Sequence, residues 1–168
     1  MLPLKEQGLL VTLEKEQGFK REVTWDFIRL DSSFKELWKV SYTIPVLYES
    51  LLSYQNEQYY FWLLAEPESE NIKILRLDLQ LGETEEFSGK LVGLRVASYF
   101  KVLGNTAFVG GSFMDRPVVL SFSFFNQSTK PLQGIYSKYF ELSGLELDEE
   151  NNEVWVLLKD RRKGNCIS

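Results

Sequence analysis

The feature that most constrains the fold is a repeat with a period of about 47 residues. Three segments share an alternating apolar pattern: Phe27–Asp31, Ile74–Asp78 and Leu120–Phe124. A second set of apolar runs has the same period, because 47 residues separate Phe61 from Phe108 and Phe108 from Trp155. A fixed period of about 20–50 residues is typical of solenoids, propellers and arrays, in which each repeat is one supersecondary unit.

Within each repeat the sequence predicts short β-strands. Apolar residues, many of them β-branched or aromatic, alternate with polar ones or form runs of about four to eight. Turn-forming clusters rich in Pro, Asn and Ser separate these runs at 66–71, 114–117 and 126–131. The pattern predicts the fourth strand of successive units at Val46–Tyr54, Leu94–Val102 and Tyr139–Leu147, and a third strand at Leu132–Ser137. The approximate units are 8–54, 55–102, 103–147 and an incomplete 148–168.

In its architecture the chain resembles the β-propeller repeat families over nearly its whole length, because four short strands per repeat make one blade. Two common blade signatures are a Trp-Asp pair and a Gly-Gly pair that recur in every repeat, and the chain carries neither. Trp25-Asp26 occurs once, and Gly110-Gly111 is found in one repeat only. The resemblance implies a single all-β domain, a partial propeller of about three and a half four-stranded antiparallel blades. The alternative is a closed antiparallel β-barrel, whose strands have no reason to recur in groups of four.

The residue inventory excludes the common catalytic sites. The chain has no histidine and a single cysteine, Cys166, so it contains no histidine-assisted nucleophile and no histidine- or cysteine-rich zinc site. It also lacks the glycine-rich loops that bind nucleotides. We therefore expect no cofactor, no metal and no catalytic residue, and the residues that would bind a ligand stay unknown.

Charge and hydropathy bound the partners. With 19 basic and 24 acidic residues the formal net charge is −5, which does not favour nucleic acid. No apolar run reaches the roughly 20 residues of a membrane-spanning helix, and the N-terminus does not resemble a secretory signal. We expect a soluble protein with neither nucleic acid nor a membrane as partner, and cytoplasm is the default compartment. The incomplete blade at each end predicts completion by a protein partner, by the rest of a longer chain, or by a second copy that closes a ring.

Several local motifs have structural explanations. The acidic run Asp148–Glu153 resembles the start of a calcium loop but lacks the glycine and the later glutamate, and is predicted to be a hairpin turn. Tyr59–Trp62 is predicted to be a strand that packs alternate aromatic rings against the sheets on its two sides. Arg161–Lys163 is predicted to be a charged turn.

The function predicted from this pattern is a non-enzymatic protein- or peptide-binding module or scaffold. The prediction depends on the broad surfaces of repeat architectures and on the lack of catalytic motifs. The alternative is a carboxylate-based carbohydrate-active domain or a small-ligand-binding domain.

Overall fold

The structure is a computed structural model that describes residues 2–3, 8–15 and 21–162, and all statements below concern those residues. Fourteen β-strands and no α-helix occur among them. The strands are β1 (Leu2–Pro3), β2 (Leu9–Lys15), β3 (Glu22–Leu30), β4 (Glu36–Pro45), β5 (Glu49–Gln55), β6 (Tyr59–Ala65), β7 (Asn71–Asp78), β8 (Thr84–Lys90), β9 (Val96–Leu103), β10 (Thr106–Phe113), β11 (Arg116–Ser123), β12 (Ser128–Pro131), β13 (Phe140–Asp148) and β14 (Glu153–Asp160).

The described strands form four separate antiparallel sheets in which neighbours along the chain are neighbours in the sheet. The first sheet is β1–β4, the second β5–β8, the third β9–β12 and the fourth β13–β14. The all-β prediction is confirmed. The closed-barrel alternative is wrong, because the hydrogen-bonded ladders end after each group of strands instead of continuing around a ring.

The sheets stack face to face, and the first strands of the second, third and fourth sheets lie side by side, since β9 contacts both β5 and β13. Each sheet is an up-and-down meander, so the segments that link one sheet to the next all lie at the same end of the strands. These connectors are 46–48, 91–95 and 132–139, and we call this side of the molecule the connector end. The hairpins between third and fourth strands lie at the opposite end.

Two apolar clusters hold the sheets together. Between the first and second sheets, the rings of Trp25 and Trp62 meet edge to face with their centroids 5.1 Å apart. Between the second and third sheets, Phe61 stacks on Phe124 with a centroid distance of 5.8 Å and an interplanar angle of 4°. Offset stacked and edge-to-face rings are the arrangements that aromatic side chains prefer. The Tyr59–Trp62 prediction is confirmed, because successive rings of β6 contact opposite sheets.

The phase of the strands differs from the prediction. The predicted fourth strands supply the first strand of the sheet that follows: β5, for example, pairs with β6. The sequence units 8–54, 55–102, 103–147 and 148–168 are therefore offset by one strand from the hydrogen-bonded sheets. The strand predicted at Leu132–Ser137 is wrong: β12 ends at Pro131, and Gly134, at φ 85°, turns the chain out of an extended conformation.

Candidate functional site

An apolar pocket of about 260 Å³ lies at the connector end of the third sheet. It is lined by Val92, Gly93, Phe113, Pro117, Val118, Leu120, Pro131, Leu132, Ile135 and Tyr136. The walls come from β10, β11 and the end of β12, and the two connectors beside the third sheet close over them. Pockets of about 300–1,000 Å³ hold drug-sized ligands, so this one accommodates a ring or a short branched chain.

Local backbone geometry builds the pocket walls. Gly93 at φ 73° and Gly134 at φ 85° sit in the left-handed region, which bends both connectors back toward the third sheet. Met114 and Asp115 also have positive φ, at 47° and 59°, and form the tight hairpin that places Phe113 and Pro117 at one wall. The pocket therefore depends on turns at residues distant in sequence.

The rim of the pocket carries a positive charge. The Arg116 guanidinium lies over the ring of Tyr136, 4.7 Å from its centroid. Val92 and Tyr136 are about half exposed, so the pocket opens to solvent at this side. An apolar group inside and an anionic or strongly polar group at the mouth are what this arrangement accommodates.

Two acidic residues at the same end hydrogen-bond to the loops there. Glu66 Oε2 accepts hydrogen bonds from Ser69 Oγ at 2.9 Å and from Asn71 Nδ2 at 2.8 Å. Those bonds, the one from Asn71 first, lower the pKa of Glu66 below its ordinary value. Glu70 Oε1 accepts the amide hydrogen of Gly93 at 3.2 Å and so helps hold the connector that borders the apolar pocket.

A charged cluster lies on the outward face of the first sheet, and the sequence analysis did not find it. The Asp26 side chain is only 2% exposed, and its two oxygens lie 2.8 Å from Lys15 Nζ and 2.7 Å from Lys39 Nζ. Ser41 Oγ donates a third hydrogen bond at 2.6 Å. The bonds from Lys15, Lys39 and Ser41, in that order, hold the pKa of Asp26 far below its ordinary range. The signal in the sequence that could have revealed this cluster is Asp26 itself, a single aspartate between the apolar residues of β3.

The remaining sequence motifs have local partners. Asp148–Glu153 includes the β13–β14 turn as predicted; Asn151 donates to Asp148 through its side chain at 2.7 Å and its backbone at 3.1 Å, and both bonds lower the pKa of Asp148. In the predicted charged turn, Arg162 pairs with Asp160 at 2.8 Å. Lys163 and Cys166 lie outside the described residues.

No protein-family model matches the sequence, and no curated protein matches it. Several solved structures share the fold. A mutant of Synechocystis apocarotenoid oxygenase superposes with a TM-score of 0.50 at 8% sequence identity, over 90% of this chain and 46% of that chain. A cobalt-substituted form of the same oxygenase and an ACO/RPE65 chimera give the same values. The chain thus spans less than half the length of these structures.

This likeness corrects the functional prediction. The prediction of a non-enzymatic protein- or peptide-binding module or scaffold is wrong, because the solved structures that share the fold are oxygenases of the β-propeller type.

The cobalt-substituted oxygenase holds a metal ion, and the residues that the structure describes in this chain offer no comparable site. The sequence has no histidine, and no group of three or more histidine, cysteine, aspartate or glutamate side chains could hold an ion among the described residues. We therefore derive no chemical step through a metal.

Among the described residues, no helix is long and apolar enough to cross a membrane.

Proposed function

We propose that the four sheets are successive blades of a propeller-type enzyme, and that this part of the enzyme holds the apolar portion of a small substrate. The observation that carries the proposal is the apolar pocket at the connector end. Its wall residues Phe113, Val118 and Leu132 present hydrocarbon toward a space of about 260 Å³ that is open to solvent. Removing apolar surface from water there contributes about 25 cal/mol per Å² to binding.

The charge at the rim sets the orientation of the substrate. Arg116 can meet a carboxylate or another polar head group while the hydrocarbon end enters the pocket. The proteins that share the fold include an enzyme named for apocarotenoids, which are apolar polyenes. That name supports an apolar substrate class for the pocket, and the reacting groups are left unassigned.

Binding of 1-anilinonaphthalene-8-sulfonate tests the proposal, because this probe joins two aromatic ring systems, a naphthalene and a phenyl group, to one anionic group. We expect saturable fluorescence enhancement with a micromolar Kd, and displacement of the probe by an added apocarotenoid. Val118→Phe fills the pocket from a strand position that an aromatic residue tolerates, and should raise the Kd at least about tenfold. Arg116→Gln should weaken binding of the sulfonate but not of uncharged naphthalene.

The control is Phe125→Ala, which removes a ring that is 90% exposed at the opposite end of the molecule and should leave the Kd unchanged. Thermal unfolding of each variant shows that it is folded. Equal probe affinity in the folded Val118→Phe variant and the native chain would refute the site, and failure of an apocarotenoid to displace the probe would refute the substrate class.

A further inference from the structure

The outward face of the fourth sheet carries the kind of residues that pack between sheets elsewhere in the molecule. Phe61 on β6, Phe108 on β10 and Trp155 on β14 occupy the same position in successive second strands, 47 residues apart. Phe61 is 2% exposed because it packs on the third sheet. Phe108 points toward the fourth sheet, since its neighbour Val109 points toward the second. Trp155, by contrast, is 56% exposed.

Leu157 extends this apolar surface. It is 42% exposed and lies on the same face as Trp155, two residues along β14. The opposite residue of β13 is Gly144, whose missing side chain leaves room for Leu157. A tryptophan and a leucine side by side on an open strand face form a surface that another sheet can cover.

The outward face of the first sheet has a matching apolar surface. Val11, Leu13 and Ile28 lie on the side of the sheet that faces away from the second sheet, as alternation with Phe27 requires. None of these three belongs to the two buried apolar clusters of the described residues, and Leu13 is 49% exposed. This face therefore carries an apolar strip beside the charged cluster of Asp26, and the core does not cover it.

The two faces carry complementary charge. On the first sheet, Lys15 and Lys39 are 47% and 42% exposed, and each ammonium group has further protons to donate besides the one that it gives to Asp26. On the fourth sheet, Glu146 lies directly opposite Trp155, and Glu153 is two residues away on the same strand. The exposed charge at the centre of the first-sheet face is thus positive, because the lysines are exposed and Asp26 is buried, and the exposed charge around Trp155 is negative. Lys159, farther along β14, is paired with Glu141. This difference in charge favours contact between the two faces over contact of either face with itself.

We propose that a second copy of this chain packs the outward face of its first sheet on the outward face of the fourth sheet of its neighbour. The contact is head to tail. Two such contacts, related by a twofold axis, close a ring of two chains, because heterologous contacts form a ring when the rotation between copies closes. The surface lies away from the apolar pocket of the third sheet, so its test is independent of the proposed function.

Sedimentation velocity over a range of concentrations tests the proposal. The expected species has twice the 19.6 kDa mass of the chain. Leu13→Arg places a charge on the first-sheet face and Trp155→Arg places one on the fourth-sheet face, and each variant alone should raise the dimer Kd at least about tenfold. Phe125→Arg, at an exposed hairpin distant from both faces, is the matched control and should leave the Kd unchanged.

Mixing the two variants gives the decisive result. A Leu13→Arg chain still has an intact fourth-sheet face, and a Trp155→Arg chain still has an intact first-sheet face, so the mixture should recover a dimer through one intact contact. A contact of either face with itself would instead leave one of the variants dimeric on its own. A monomer at all concentrations, a dimer unaffected by both substitutions, or no recovery in the mixture would each overturn the proposal.

Discussion

Gly89 on β8 lies against Phe122 where the second sheet packs on the third, and its replacement by alanine tests how tightly the two sheets pack. A Cβ at this position would overlap Cε2 of Phe122 and lie 3.0 Å from its Cδ2. Phe122 is fully buried in the cluster between the second and third sheets, so displacing its ring would disturb the packing of its neighbours. Overpacking of this kind costs about 1–3 kcal/mol, and the lower entropy of the unfolded chain offsets about 0.4–1 kcal/mol of it.

We therefore expect Gly89→Ala to lower the free energy of unfolding by about 1–2 kcal/mol, which corresponds to a fall in Tm of about 2–8 °C for a chain of this size. Phe122→Leu removes Cε2, the atom that the new methyl group would overlap. The double variant should lose less stability than the sum of the two single variants, with a coupling energy of about 1 kcal/mol.

Chemical denaturation of the single and double variants measures this coupling. Gly144→Ala is the matched control, because its Cβ would meet only the flexible side chain of Leu157 at 3.0 Å, which can rotate away. That control should change stability by less than about 0.5 kcal/mol. Additive effects of Gly89→Ala and Phe122→Leu would refute the packing of the second sheet on the third.

Two further predictions concern the dependence of stability on pH. Because the pKa of Asp26 is lowered in the folded state, its contribution to stability is present above the unfolded pKa of about 4 and is lost as pH falls through the folded pKa. Asp26→Asn should therefore reduce the fall of Tm between pH 5 and pH 2.5. An unchanged fall of Tm in acid would contradict the charged cluster. Burial, and then the hydrogen bond that Tyr42 donates to Glu86, raise the pKa of Tyr42, so its contribution is present below the unfolded pKa of about 10 and is lost above it. Tyr42→Phe should therefore reduce the loss of Tm between pH 9 and pH 11. An equally steep loss in the variant would show that the half-buried phenol of Tyr42 is not responsible.

The local pattern of the sequence determined most of the strands and the alternation of side chains along β6. Alternation in Tyr59–Trp62 predicted which rings point to opposite sides of β6, and the structure confirms it. This works because the side chains of any extended strand alternate with a period of two residues, whatever the strand pairs with. The repeat likewise predicted that Phe61, Phe108 and Trp155 are equivalent, and all three lie on second strands.

Only the tertiary structure decided where each sheet begins. A period of 47 residues is the same for every choice of starting strand, so the sequence could not assign β5 to the second sheet; that assignment depends on hydrogen bonds between β5 and β6. The same limit applies to the sites. The pocket joins Val92 to Leu132 and Tyr136, and the charged cluster joins Lys15, Asp26 and Lys39, residues that come together only when separate strands and connectors pack. Spacing along a chain carries no information about such long-range contacts, which arise from the packing of the whole fold.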